Sequence, residues 1–401
     1  MNFKKLLKKI TPAFLLNWYH YSLAFLGALM YRFPSNNLTV IGVTGTSGKS
    51  TTVDFITRIL EEAGHKVAST SSIRFKVADK EWKNKMKMTM PGRLVIQKLL
   101  RQAVDAGCKY AVLEVTSEGI KQSRHKFINF DTAVFLNLTP EHLDSHGGFE
   151  NYRNAKMELF KATKNIHVIN AEDENMEYFL QIPARKKITF GLEKGDVNLA
   201  TNPITLQLLG DFNNYNALAA IAVGMHYGVS REVCARAVEK VKGVPGRLEV
   251  VSQNPVVVVD YAFTPEQLEA SHGAVKKYSG GKSLVCVLGS CGGGRDKWKR
   301  PVLGKIAAQN CREIIITNED PYDEDPLEIM EQVAKGIGEK PYHIVLDRKE
   351  AIEKALELAT PADAIIITGK GAEPLMCLAD GKKIPWDDRE IVREALQSRE
   401  K

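Results

Sequence analysis

The chain has 401 residues, which at roughly 150 per domain predicts two or three domains. Hydrophobic residues make up 44% and charged residues 26%, a globular balance that excludes a disordered, collagen-like or polytopic membrane protein. Lysine plus arginine exceed aspartate plus glutamate by 55 − 48 = +7, too thin an excess to point to nucleic acid.

Residues 1–36 differ from the rest. Lys4, Lys5, Lys8 and Lys9 fall at helical spacing among Phe3, Leu6, Leu7 and Ile10, and no Asp, Glu, Lys or Arg occurs from Ile10 to Tyr31. That stretch has the length to cross a hydrocarbon core of ~30 Å. Pro12, Asn17, His20 and Ser22 interrupt it, however, and Trp18, Tyr19 and Tyr21 are of the interfacial type. Three readings stay open: a helical segment packed on the body, a basic anchor lying on anionic lipid, and a spanning helix or signal peptide.

The body alternates strands and helices. Asn37–Val43 predicts a strand running into a Gly-rich turn, followed by a helix from Ser50 to Ala63. Tyr110–Val115 and Thr132–Leu138 are further short apolar runs, and helices follow over 216–227 and 233–241. Gly243 to Gly246 breaks the pattern, which places a domain boundary there. Strands are predicted again at Val256–Asp260, Ser283–Leu288, Glu313–Thr317, His343–Leu346 and Ala364–Thr368. The expected fold class is α/β: a central ATPase domain (37–243) with a mostly parallel sheet, then a Rossmann-like doubly wound domain (244–401). The six cysteines (108, 234, 286, 291, 311 and 377) form no Cys-x-x-Cys pair. That argues against a disulfide framework or structural zinc and fits a reducing cytosol.

The segment Gly42 to Thr52 follows a strand and opens a helix. Backbone N–H groups of such a loop converge on phosphate oxygens, helped by the positive end of the helix. Lys49 would reach the β- and γ-phosphates and the Ser50 hydroxyl would bind Mg²⁺. The usual spacing places a glycine where Val43 stands; here glycines occupy 42 and 45 instead.

Thr44–Thr52 resembles the Thr-Gly-Thr-Asn-Gly-Lys-Thr-Thr loop of the Mur ligases, and further motifs of that family follow in order. Leu113–Glu118, Asn137–His146, Tyr152–Phe160 and Gly210–Ala220 are similar to its metal, lysine and adenine segments. Asp260–Pro265, Gly294–Asp296, Asn318–Pro321 and Gly369–Glu373 continue the series, and the nearest pattern is the MurE branch. The resemblance implies an ATP-dependent amino-acid ligase that forms an amide through an acyl phosphate, on a cell-wall (muramoyl-peptide) acceptor, with ATP and Mg²⁺. Because such a transition state carries phosphoryl charge, its catalysis rests on cations and positioning.

The resemblance also assigns roles. Lys49, Glu114, His142 and Lys156 are the catalytic candidates, with Ser50, Glu114, His142 and a carbamylated Lys156 around the metal. Gly45, Thr46, Gly48, Lys49, Ser50 and Thr51 would hold the phosphates, and Asn213 and Asn216 the adenine. Arg247 and Asp260 would meet phosphate and ribose, as domain closure completes an ATP site. Thr89, Arg295, Asp320, Gly369 and Glu373 would hold the substrates. A carboxylate at the strand end by Glu114 suits Mg²⁺ on hardness alone, whereas His142 as a ligand rests on the family.

Departures from the family shape what is expected. Only 36 residues precede the loop strand, so the UDP-anchoring part is expected to be missing, and a lipid-linked or differently held acceptor stays open. The acceptor loop reads Thr89-Met90-Pro91, and Glu118, Phe263 and Ala372 replace family histidines. Tyr322 stands where diaminopimelate enzymes carry an arginine, beside Asp320, Asp323, Glu324 and Asp325. This acidity predicts a basic amino acid such as lysine over diaminopimelate. A folylpolyglutamate- or cyanophycin-like ligase and an ATP-binding amidotransferase subunit remain alternatives. The expected setting is the cytoplasm, with peripheral contact of residues 1–31 to the inner membrane face, no nucleic-acid partner, and a monomer or weak dimer.

Overall fold

The computed structural model describes residues 12–399. Residues 1–11, the basic start of the segment expected to be helical over 1–36, lie outside the described residues. The chain forms two compact units. The first contains the chain up to Leu138 with Arg153–Pro203 and Tyr215–Val238; the second contains Thr139–Tyr152, Ile204–Asn214 and the chain from Glu239 onward.

The first unit begins with helix α1 (Ala13–Met30), which ends where Arg32 and Phe33 turn into left-handed backbone. Its strands are β1 (Thr39–Thr44), β2 (Val67–Thr70), β3 (Arg74–Val77), β4 (Lys80–Lys83), β5 (Tyr110–Glu114), β6 (Phe130–Phe135), β7 (Ile166–Asn170) and β8 (Lys186–Phe190). They form one sheet in the order β4-β3-β2-β5-β1-β6-β7-β8. From β2 to β8 every pairing is parallel, and β3 and β4 fold back as antiparallel edge strands. The central strands are apolar without alternation because helices cover both faces; Val40, Ile41, Val43, Val112, Leu113, Val134 and Phe135 are all buried. Helices α2 (Lys49–Glu62), α3 (Arg93–Asp105), α4 (Phe149–Ala162) and α5 (Phe212–His226) supply the cover. The register sets Val43 beside Glu114 and Thr44 beside Phe135. The turn after β1, the end of β5 and the segment after β6 therefore share the carboxyl edge of the sheet, where open α/β sheets bind ligands.

The second unit carries β9 (Glu249–Gln253), β10 (Val256–Val259), β11 (Ser283–Leu288), β12 (Cys311–Thr317), β13 (His343–Val345) and β14 (Asp363–Ile367). Their order is β13-β12-β11-β14-β10-β9, parallel except for β9. Val256 and Val258 face one core layer and Val257 and Val259 the other, as the two-residue period of a strand requires. Helices α6 (Pro265–Tyr278), α7 (Lys299–Asn310) and α8 (Arg348–Leu358) pack on it, and the hairpin β15 (Leu375–Cys377) and β16 (Lys383–Pro385) follows.

One expectation is corrected here. The cysteine spacing argues against a disulfide framework, yet Cys286 and Cys311 are joined by a disulfide across neighbouring strands β11 and β12, with Cα atoms 6.0 Å apart. The two positions are 25 residues apart in sequence, so only strand adjacency brings them together.

Candidate active site

In the first unit two amines, a hydroxyl and a carboxylate meet at the turn between β1 and α2. The turn needs glycine: Gly48 has φ +82°, and a Cβ there would lie 2.2 Å from the Asn216 amide oxygen. Lys49, at the first position of α2, folds back so that its amine donates to the carbonyls of Gly45 and Thr46, each at 2.9 Å. Asn137, just after β6, steadies the same turn. Its amide oxygen accepts from the N–H groups of Thr46 (3.1 Å) and Ser47 (2.9 Å).

Glu114 ends β5 and is buried. One of its oxygens accepts from the Ser50 hydroxyl at 2.8 Å and from the Ser72 N–H at 2.9 Å, and the Ser50 and Ser72 hydroxyls are 2.7 Å apart. A carboxylate and two hydroxyls make a set of hard oxygen donors, the chemistry a magnesium ion takes. Lys156 projects from α4 into the interior, and its amine donates to the Gly45 carbonyl at 2.8 Å. Burial first, and the charge of Lys49 second, hold this amine well below the ordinary lysine range, with Glu114 opposing. Thr51 is buried on the first turn of α2, and Thr52 donates to the Gly48 carbonyl at 3.1 Å. Asn216, on α5, accepts from the Thr52 hydroxyl at 3.3 Å, so its side chain lies against the turn. Thr89 sits in the loop between β4 and α3, a loop shaped by Asn84, which donates to the carbonyls of Ser71 and Met88.

The remaining candidates belong to the second unit. His142 takes left-handed backbone (φ +57°) ahead of the short helix Leu143–His146, and its Nδ1 accepts from the Arg295 guanidinium at 3.3 Å. Asp296 receives the N–H groups of Leu143 and Asp144 at 3.1 and 3.0 Å. Glu141 and Lys299 form a buried ion pair at 2.9 Å. Arg247 stacks on the Tyr261 ring at 4.1 Å. Both oxygens of Asp260 are engaged, by the Leu248 N–H at 3.0 Å and the Ser271 hydroxyl at 2.5 Å. Asn213 donates to the Leu209 carbonyl at 2.7 Å.

Asp320, Gly369 and Glu373 converge on Lys370, a buried cation that motif spacing alone did not single out. Its amine donates to both oxygens of Asp320 (2.9 and 3.0 Å), to Glu373 (2.8 Å) and to the Leu375 carbonyl (2.7 Å). Gly369 has φ +107°, and a Cβ there would meet Glu319 at 2.4 Å. Glu319 is itself buried, with its carboxyl raised by burial, and accepts from the Cys291 thiol at 2.8 Å.

The acidity around Tyr322 is therefore not a bare negative patch. Asp320 is matched by Lys370, Glu324 by Arg300 (3.0 Å) and Lys297 (3.2 Å), Asp325 caps the helix Pro326–Ala334, and Asp323 accepts the Asp380 N–H. Each of these carboxylates has a protein donor, so their number in sequence does not by itself argue for a basic substrate side chain.

Comparison with known proteins agrees with this architecture. Residues 43–224 match the Mur ligase middle domain, and residues 246–371 match the Mur ligase glutamate ligase domain. The UDP-N-acetylmuramoyl-L-alanyl-D-glutamate--2,6-diaminopimelate ligase of Bacillus cereus is 35% identical, covering 94% of this chain and 82% of the relative. Its counterpart from Syntrophomonas wolfei is 38% identical, covering 95% and 82%. A solved structure of such a ligase is similar at a TM-score of 0.59 and 30% identity, covering 91% of this chain and 79% of that one. Folylpolyglutamate synthase of Mycobacterium tuberculosis, solved with ADP and AMPPCP, shares the fold at a TM-score of 0.69 and 16% identity, covering 87% and 92%. The chain belongs to the Mur ligase family. It is an ATP-dependent amino-acid ligase.

Proposed function

We propose that this ligase joins a diamino acid to the terminal carboxylate of a UDP-N-acetylmuramoyl-dipeptide, the acceptor named for its relatives. The observation that carries the reading is the convergence of Lys49, Ser50, Glu114 and Lys156 on one turn at the carboxyl edge of a parallel sheet. In the reaction an acceptor carboxylate oxygen attacks the γ-phosphorus of ATP, and ADP leaves. The amine of the incoming amino acid then attacks the acyl carbon, loses a proton, and phosphate leaves. Lys49 would swing from the Gly45 and Thr46 carbonyls to the β- and γ-phosphates, where developing negative charge needs a cation. Ser50 and Glu114 would hold Mg²⁺, whose contribution is neutralising phosphate charge. Burial and the charge of Lys49 lower the Lys156 amine and so favour its neutral form, the form that reacts with carbon dioxide, which supports a carbamate at this position. Arg295 is offered as the partner of the amino acid's α-carboxylate, by the affinity of guanidinium for carboxylate.

The test is phosphate release with ATP, Mg²⁺, UDP-N-acetylmuramoyl-L-alanyl-D-glutamate and either diaminopimelate or lysine. Product is expected with at least one diamino acid, and none with Lys49→Ala. Turnover only with a folate acceptor and glutamate would overturn the assignment of the acceptor.

A further inference from the structure

Helix α1 is built inside out for a helix on a water-facing surface. Ala24 and Ala28 are 1% and 0% exposed, and a Cβ at Gly27 would lie 3.3 Å from Leu94 of α3. The helix thus packs on the protein through its smallest residues, with Tyr21 and Phe25 edge-on to Phe127. Its large residues point away: Phe14 is 69%, Trp18 70% and Met30 66% exposed, with Tyr19, Leu26 and Leu29 about half exposed. At 100° per residue these occupy an arc of roughly 160° interrupted only by Ser22. Exposed apolar residues scattered singly need no partner, but a continuous face of this size does.

The charge around the helix says what the partner is. Lys4, Lys5, Lys8 and Lys9 precede it and Arg32 follows it, and no Asp or Glu occurs before Asp54. The outward aromatics, Trp18 and Tyr19, have amphipathic rings that settle at the lipid headgroup level. Among the described residues no helix is long and apolar enough to cross a membrane. Because its inner face is held by α3, α1 can present only its outer arc.

We propose that the outward arc of α1 is a docking surface for the anionic face of a lipid bilayer, with α1 lying in the interface plane. Insertion of Trp18, Leu26 and Leu29 supplies apolar burial, and Lys4, Lys5, Lys8 and Lys9 supply salt-sensitive attraction to lipid phosphates. The inference is independent of the acceptor proposed above, since it uses none of the ligase residues.

The experiment is co-flotation of the full chain with vesicles of phosphatidylcholine alone or of phosphatidylcholine mixed with phosphatidylglycerol. The chain should bind the anionic vesicles at least tenfold better than the neutral ones, and binding should weaken as salt is raised. The triple variant Trp18→Ser/Leu26→Ser/Leu29→Ser, altered only on the exposed arc, should lose binding while still binding ADP. Lys4→Gln/Lys5→Gln/Lys8→Gln/Lys9→Gln should reduce it at least tenfold. Equal binding to both vesicle types, binding unchanged in both variants, or no binding at all overturns the proposal. So does a wild-type dimer in light scattering that the triple variant converts to monomer, since a second copy would then cover the face.

Discussion

Lys156 offers the sharpest test of the site. Its amine is buried, bonded to the Gly45 carbonyl at 2.8 Å, and held well below the ordinary range by burial and then by Lys49. Carbon dioxide reacts only with a neutral amine: an N–C bond forms, one N–H proton leaves, and a carbamate anion results. An unperturbed lysine is neutral at pH 7 in only about one molecule in 2,500, and each unit of depression raises that fraction tenfold. The folded site therefore makes this lysine reactive where surface lysines are not. Lys156→Ala should lower kcat/KM by about 100-fold, or about 2.7 kcal/mol of transition-state stabilisation. Acetate or formate should restore part of it by supplying the missing anion. The assay is phosphate release in carbon dioxide-free and bicarbonate buffers, with ¹³C NMR of enzyme equilibrated in labelled bicarbonate. Stability gives a second readout. The folded pKa lies below the unfolded one, so the unfolded chain binds more protons between the two values, and stability rises with pH across that window. In carbon dioxide-free buffer Lys156→Met should thus be the more stable protein near neutrality, and wild type should regain ground toward pH of about 10. A wild-type enzyme with no carbamate resonance and indifferent to carbon dioxide, together with an unrescued Lys156→Ala, would refute the reasoning.

Two further changes probe the framework. Gly48→Ala forces an L-residue to φ +82° and drives its Cβ into Asn216; the strain of about 1–2 kcal/mol should cost about 5- to 30-fold in ADP affinity by calorimetry while the protein still folds. Lys299→Met leaves the buried Glu141 carboxylate without its cation, which costs about 3–5 kcal/mol and should lower Tm by roughly 6–20 °C. Burial already raises Glu141, so the deficit should shrink on acidification as the carboxyl protonates, and Glu141→Leu/Lys299→Met should recover most of it. A single variant that melts with wild type would show the pair to be idle.

What was legible in the sequence followed the range of the interactions involved. The strand–turn–helix around Gly48 is local: a left-handed turn, a helix start and Lys49 lie within a few residues. The buried parallel strands were readable as apolar runs, and β11 was placed over Ser283–Leu288 as observed. Edge strands β3 and β4 were missed because they are four residues each, with charged side chains at half or more of their positions. Lys370 was passed over for a different reason. Its two carboxylate partners sit 50 and 3 residues away, and only the adjacency of the loops after β12 and β14 shows it to be their common cation. Ser72 likewise has no motif of its own; it is found only because β2 and β5 end together beside Glu114.

The same limit governs substrate preference, where a count of charges in sequence does not show which of them are paired. Asp320, Asp323, Glu324 and Asp325 would repel a distal carboxylate if they faced it unpaired, at several kcal/mol. In the fold Asp320 shares Lys370 with Glu373, Glu324 is paired with Arg300 and Lys297, Asp325 accepts an N–H at its own helix start, and Asp323 takes a backbone N–H. A matched pair projects little field beyond its own contact, and what remains at longer range is screened. Tyr322 then matters by shape: its backbone is left-handed at φ +53°, and its ring packs so close to Gly293 that a Cβ there would meet it at 2.6 Å. Charge alone should therefore separate lysine from diaminopimelate by less than about tenfold in kcat/KM, within about 1.4 kcal/mol. Competition kinetics with both amino acids at fixed ATP and acceptor measures the ratio. A preference for lysine beyond about 100-fold would mean that these carboxylates act on the substrate despite their partners, and Tyr322→Arg would then be expected to narrow it.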